Sequence, residues 1–230
     1  LEQQVRVIDI NTLGVLYMVS SDGQVDDVED LRGRTIALTG MGTSPDYVLQ
    51  YVLAGNGIAL DEVTLEYKAE AAEVVTALAE GTADIGLLPQ PYVTAACAKD
   101  SSLQVVLDMT EQWDALQEAG GSRLVTGVTV VRQGFLEEHP QAVELFLEEH
   151  AASVEAVNSD VETAAALVAG LGIIENETLA AKAIPQCNIA CITGQEMKDA
   201  LEGYLAVLFD YDPATVGGAM PDEAFYYMAE

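Results

Sequence analysis

The chain has 230 residues, half of them hydrophobic, which allows a sizeable core in one large domain or two lobes. It carries 38 Asp and Glu against 9 Lys and Arg, a formal net charge of −29. So acidic a chain excludes nucleic acid, whose phosphates need a basic surface, and excludes docking on anionic lipid; the charge acts as a solvated coat.

In chain order, Val5 to Ile10 alternates weakly and leads into Asn11 and Thr12, while Leu13 to Ser20 is a second apolar run with Gly14 as the break; both read as strands. Ser21-Asp22-Gly23 is a turn, and Val25 to Leu31 is a short acidic turn or helix. Thr35 to Thr39 reads as a buried strand. Gly40 to Thr43 then forms a tight loop, Ser44 offers an N-cap, and Pro45 suits the first helical position. Tyr47, Val48, Tyr51 and Val52 share one helical face, and Gly55 and Gly57 punctuate its end. This order of strand, glycine loop and helix N-terminus predicts a seat for a carboxylate, sulfonate or phosphate at Gly42 to Asp46. The loop lacks the third glycine of a dinucleotide fingerprint and the Gly-Lys-Ser/Thr ending of a Walker loop.

Val63 to Tyr67 reads as a strand, Glu70 to Glu80 as a helix stopped by Gly81, and Ala83 to Leu88 as a buried strand. Pro89-Gln90-Pro91-Tyr92 forces an extended exit before a helix to about Lys99, and Leu103 to Leu107 is a further strand. Strands alternating with helices predict βαβ units and a mainly parallel sheet. Trp113 lies in an acidic amphipathic stretch ending at Gly120-Gly121, and Leu124 to Val131 is the last clear strand. Beyond Phe135 the pattern is helical: Glu137 to Asn158, Val161 to Ala169, Asn176 to Ile184 and Gly194 to Phe209, with a last short helix after Pro221. Cys187 and Cys191 stand four apart with no His close in sequence, which argues against a zinc site; a disulfide between them and buried thiols both stay open. No metal or cofactor is expected.

Asp30-Leu31-Arg32-Gly33-Arg34 before a strand, followed by a Gly-Thr-Ser loop, resembles the extracytoplasmic solute-binding proteins of ABC importers. The resemblance is to the branch associated with sulfonates, taurine, nitrate and thiamine-precursor pyrimidines. Ala77-Leu78-Ala79-Glu80-Gly81-Thr82-Ala83-Asp84 is similar to that branch's step from helix to strand, and Phe135-Leu136-Glu137-Glu138-His139-Pro140 to its return helix into the first lobe. Gln90-Pro91 stands where the family carries Glu-Pro, an amide in place of an acid.

The resemblance implies a type II periplasmic-binding-protein fold, with a first lobe from residues 1–25 plus 125–230 and a second α/β lobe from 26–124. It also implies hinges near Ser20 to Val28 and Gly121 to Val125. The family opens with a strand, helix, strand and helix that precede Leu1 here, so the first lobe is expected to lack its N-terminal part, and a chain beginning at Leu1 is expected to belong to a longer product. The implied ligand lies between the lobes. Gly40, Gly42, Thr43 and Ser44 would hold it from the second lobe, Asn11 and Thr12 would face them, and Gln90 and Tyr92 would reach in from the next strand end, Tyr92 with a stacking face. Asn11 and Thr12 read equally well as turn formers, Tyr92 equally well as core, Trp113 better as packing, and Arg123 better as a surface ion pair than as an anion clamp.

The implied function is an extracytoplasmic, monomeric and non-catalytic receptor, free or lipoprotein-anchored, that delivers a small anionic or heterocyclic solute to an ABC permease. Two alternatives remain: an enzyme on the same fold acting on a pyrimidine- or pyridoxal-like compound through Lys68 or Lys99, and a degenerate relative that binds nothing. His139 and His150 lie in an acidic helical region with no nucleophile near them in sequence, so no catalytic residue is expected.

Overall fold

In chain order the elements are β1 (Val5–Leu13), β2 (Leu16–Ser20), β3 (Thr35–Thr39), α1 (Ser44–Gly55), β4 (Thr64–Lys68), α2 (Ala71–Glu80), β5 (Ile85–Pro89), α3 (Tyr92–Lys99), β6 (Gln104–Asp108) and α4 (Met109–Ala115). There follow β7 (Val125–Arg132), α5 (Gln133–Glu138), α6 (Pro140–Ser159), α7 (Val161–Gly170), α8 (Glu177–Ala183), β8 (Ile189–Ile192) and α9 (Gly194–Tyr211). The structure, a computed structural model, describes residues 5–117 and 121–228. The Gly120 end of the acidic stretch and the last two residues of the tail lie outside the described residues. Among the described residues no helix is long and apolar enough to cross a membrane.

Several helix ends follow local chemistry. The Asp108, Asp160 and Asn176 side chains accept from the Thr110, Thr163 and Leu179 N–H groups, capping α4, α7 and α8. The single helix expected from Glu137 onward is instead two, because Pro140 cannot donate to a preceding turn and starts α6 afresh. The N-cap of α1 is Thr43, not Ser44: Thr43 is extended (φ −128°, ψ 179°), which places Ser44 at the first helical position and Pro45 at the second. The helix expected after Pro221 is a single 3-10 turn, Glu223–Phe225.

The chain divides into two compact units, a continuous one, Val15–Gln117, and a split one, Leu1–Gly14 with Glu118–Glu230. The crossings therefore fall at Gly14/Val15 and Gln117/Glu118, not near residues 25 and 125. The reason is β2, which leaves β1 at Gly14 and hydrogen-bonds into the sheet of the continuous unit.

That sheet has the order β4-β3-β5-β2-β6. β3 runs parallel to β4 and β5, whereas β2 is antiparallel to both β5 and β6, so one reversed strand interrupts an otherwise parallel sheet. All five residues of β2 are buried, as suits a central strand covered on both faces. On one face Val74, Ala77 and Leu78 of α2 pack with Val19, Ala37 and Leu88. Elsewhere in this unit Trp113 of α4 is fully buried, its ring 4.3 Å from that of Tyr51 on α1, which gives it the packing role expected. Asp84 ties the parallel strands together, its carboxylate accepting the Thr35 N–H at 2.7 Å while its own N–H donates to the Thr35 carbonyl.

The split unit is built on a three-stranded antiparallel sheet, β7-β1-β8, with α6 packed on β8. β8 is absent from the sequence reading. It has four residues and follows Asn188, which adopts φ +46° and donates from Nδ2 to the Gly14 carbonyl at 2.6 Å, pinning the turn to the end of β1. A second small core joins Ala164 and Ala165 of α7 to Ala180 and Ile184. The three cysteines are free thiols, each half-buried.

Candidate functional site

The glycine loop has the geometry that its sequence suggests. Gly40 and Gly42 take φ +79° and +69°, values that L side chains rarely adopt, and the Thr43 N–H and hydroxyl both return to the Gly40 carbonyl, at 2.9 and 2.5 Å. Met41, Gly42, Thr43 and Ser44 are exposed, so the turn presents backbone to its surroundings at the start of α1.

The loop is nevertheless not an empty anion seat. Asp46, the third residue of α1, is 3% exposed, and one of its oxygens accepts the Gly42 N–H at 2.8 Å. Its other oxygen accepts from Gln50 Nε2 and from the Tyr67 hydroxyl, both at 2.8 Å. The protein's own carboxylate thus occupies one of the expected donors and answers the positive end of the helix dipole. Burial, then the bond to Asp46 and its negative charge, push the Tyr67 hydroxyl up to about 12.

Gln90 and Tyr92 follow β5, and β5 lies beside β3 in parallel register, so their turn and the glycine loop share the carboxyl edge of the sheet. Gln90 is 9% exposed; its Oε1 accepts from the Thr94 hydroxyl at 2.8 Å and holds the first turn of α3. The Gln90–Pro91 peptide is cis. Tyr92 is half-buried and packs against the core of this unit, so its ring is partly spent on structure.

Asn11 and Thr12 belong to the split unit. They are strand residues of β1, not turn formers: Thr12 donates to Asn11 Oδ1 at 2.9 Å, and Asn11 Nδ2 donates to the Thr129 hydroxyl of β7 at 3.1 Å. Gly127 makes room for the pair, because a Cβ there would collide with Asn11 Oδ1. Arg123, half-buried, precedes β7 in the same unit. The structure therefore gathers Gly40, Gly42, Thr43, Ser44, Gln90 and Tyr92 on one sheet edge and sets Asn11 and Thr12 on a different sheet.

The two arginines of the Arg32-Gly33-Arg34 motif serve loops instead of a ligand. Arg32 pairs with Glu62 and donates to the Gly57 carbonyl, while Arg34 pairs with Asp22 at 2.8 Å. Lys68 is ion-paired with Glu66 at 2.7 Å.

A second constellation escaped the sequence reading, which left His150 unpartnered. Its Nδ1 lies 3.0 Å from Asp9 Oδ2, and a ligand atom of Cys191 lies within 4.8 Å of both side chains. Spacing hides this trio, since its members stand on β1, α6 and β8. One signal was present: Asp9 interrupts Val7, Ile8 and Ile10, an acid at a buried strand position, and it is fully buried.

The sequence profile of the family described as NMT1/THI5 like matches residues 3–164. No curated protein sequence matches the chain. Among solved structures, an ABC transporter protein from Parabacteroides distasonis is similar with a TM-score of 0.80 at 23% identity, over 98% of this chain and 75% of that one. The periplasmic aliphatic sulphonate-binding protein SsuA of Escherichia coli gives 0.70 at 16% identity, over 96% and 71%. The alkanesulfonate-binding SsuA of Xanthomonas axonopodis pv. citri, bound to MOPS, gives 0.66 at 17% identity, over 98% and 74%. These likenesses establish a periplasmic-binding-protein fold, and the matched profile, spanning well over half of the sequence, makes the chain a member of the NMT1/THI5-like family.

Proposed function

We propose that the protein is the solute-binding component of an ABC-type importer, a monomeric, non-catalytic receptor that captures a small molecule outside the cytoplasmic membrane and presents it to a permease. Family membership and a fold shared with sulfonate-binding proteins support the reading. The observation that carries it is the Gly40–Ser44 turn at the N-terminus of α1, exposed from Met41 to Ser44, on the same sheet edge as Gln90 and Tyr92. Backbone donors from the turn, an amide and an aromatic ring form the small polar set that orients a bound metabolite.

Asp46 bears on the class of solute. A sulfonate at the turn would share the helix N-terminus with a buried carboxylate that already takes the Gly42 N–H. A neutral or weakly polar heterocycle meets no such opposition, can accept from the turn, and can lie against Tyr92. Of the two classes expected, the heterocycle is therefore the proposed solute.

The test is a thermal-shift and calorimetric panel on the whole protein, with pyrimidine heterocycles against alkanesulfonates. A true solute at a hundred times its Kd stabilises by about 2.7 kcal/mol, which for a chain of this size raises Tm by about 5–11 °C. Shifts from sulfonates alone would overturn the heterocycle assignment and keep the receptor. No shift across the panel would overturn the receptor.

A further inference from the structure

We propose that Asp9, His150 and Cys191 form a binding site for one divalent transition cation of the zinc class. The three side chains converge within the split unit from β1, α6 and β8, with one ligand atom of each within 4.8 Å of the others. A tetrahedral zinc holds such atoms about 3.3–3.6 Å apart, given bonds of about 2.0 Å to nitrogen or oxygen and about 2.3 Å to sulfur. Small side-chain rotations close that gap.

Four observations favour a cation over a structural cluster. First, Asp9 is fully buried, and among the described residues its Oδ1 accepts no hydrogen bond, an orphaned carboxyl oxygen on a member of the trio. Second, the donor set is one carboxylate, one imidazole and one thiol; the thiol selects zinc-like ions over magnesium or calcium. Third, charge closes: a divalent ion bound by one carboxylate and one thiolate is neutral overall, which suits a buried setting. Fourth, a cavity of about 330 Å³ lies against Cys191, with Glu144, Leu147, Glu148 and Ala151 of α6 and Tyr227 in its wall. Both glutamates are exposed, so the cavity that reaches Cys191 has an acidic wall.

The arrangement does not suit the rival reading, a cysteine nucleophile relayed through His150 to Asp9. In a relay the thiol and the carboxylate bond opposite nitrogens on the two sides of the ring, whereas one ligand atom of Cys191 lies within 4.8 Å of both Asp9 and His150. On binding, the thiol S–H bond breaks, sulfur keeps the electron pair and donates it to the metal, and the proton leaves to solvent. Phe146, stacked on His150 at 5.5 Å, already restricts the ring.

The experiment is a cobalt(II) titration of the reduced, metal-stripped whole protein. A thiolate-to-cobalt charge-transfer band should rise to one equivalent and be bleached by zinc. The many exposed carboxylates cannot produce it. The Cys97→Ser, Cys187→Ser double variant should keep the band; Cys191→Ser and His150→Gln, checked for folding by circular dichroism, should lose it. No band in the wild type, a band lost in the double variant, or one that survives Cys191→Ser would each overturn the site.

Discussion

Replacing Asp46 with asparagine changes one heavy atom and tests whether a buried carboxylate organises the glycine loop. In the wild type one oxygen takes the Gly42 N–H and the other takes two donors, from Gln50 and Tyr67. Asparagine offers one oxygen and one NH2 group. Its cheaper orientation keeps the oxygen toward Gln50 and Tyr67 and turns the NH2 against the Gly42 N–H. That loses one charge-assisted bond and opposes two donors, a cost of about 2–3 kcal/mol. The lost interaction of a charge with the first turn of α1 adds about 0.5–1 kcal/mol, and relief of burying a charge offsets part of the sum. The net expectation is about 2–3 kcal/mol, read as a lower urea midpoint at unchanged slope and a fall in Tm of about 4–12 °C. The same variant should bring the Tyr67 hydroxyl down from about 12, followed by its ultraviolet titration against the wild type. Stability within about 0.5 kcal/mol of wild type would refute the reasoning. The loop would then be held by its own turn geometry, and the case against a sulfonate there would fall with it.

Trp113, the sole tryptophan, is fully buried, so Trp113→Ala should cost about 3–5 kcal/mol in urea unfolding, and the native fluorescence should be blue-shifted and report on the continuous unit alone. Gly203→Ala should destabilise by about 1–3 kcal/mol despite the better helix propensity of alanine, because the new Cβ would stand 2.7 Å from Ser122 Cβ and 3.0 Å from its Cα; a neutral or stabilising result by calorimetry would show that the segment before β7 moves aside. Hydrogen bonds from the Ser20 hydroxyl and the Gln24 N–H, then Arg34, hold the Asp22 carboxyl down to about 2. Asp22 therefore supports folding fully above about pH 3.8, and the support is lost as pH falls from there toward 2, where the unfolded chain takes up the proton first. Carboxyl NMR should find that midpoint near 2, and Ser20→Ala should raise it; an unmoved midpoint would displace Ser20 as the main cause.

Most of the continuous unit was legible, because its signals are local. Gly81 stops α2, the Pro89–Pro91 run ends β5, and apolar runs of about five residues mark β3 and β5. The reversal of β2 was not legible, since a strand buried on both faces shows the same apolar run in either direction. The glycine loop was legible as a loop but not as one already holding an anion. Asp46 reads as an ordinary first-turn acid, and only the fold brings Tyr67 onto it from 21 residues away. Asn11 and Thr12, weighed as turn residues, proved to be the last part of β1, because their polar side chains find partners across the strand pair. His150 needed Asp9, 141 positions earlier, before it meant anything.

The interruption of one unit by the other has a consequence for how the chain is made. The continuous unit is a single uninterrupted segment, so every strand of its sheet has left the ribosome once residue 117 has done so. The central strand of the other sheet emerges before that segment, yet both of its partners among the described residues lie beyond residue 124. At about 5–20 residues per second, β1 waits roughly 6–24 s for β7 and longer for β8. Throughout that interval β1 lacks both of the strands that flank it among the described residues, while the segment behind it is already free to fold. Biosynthesis thus orders the two halves, with the later-closing sheet the one that depends on contacts distant in sequence.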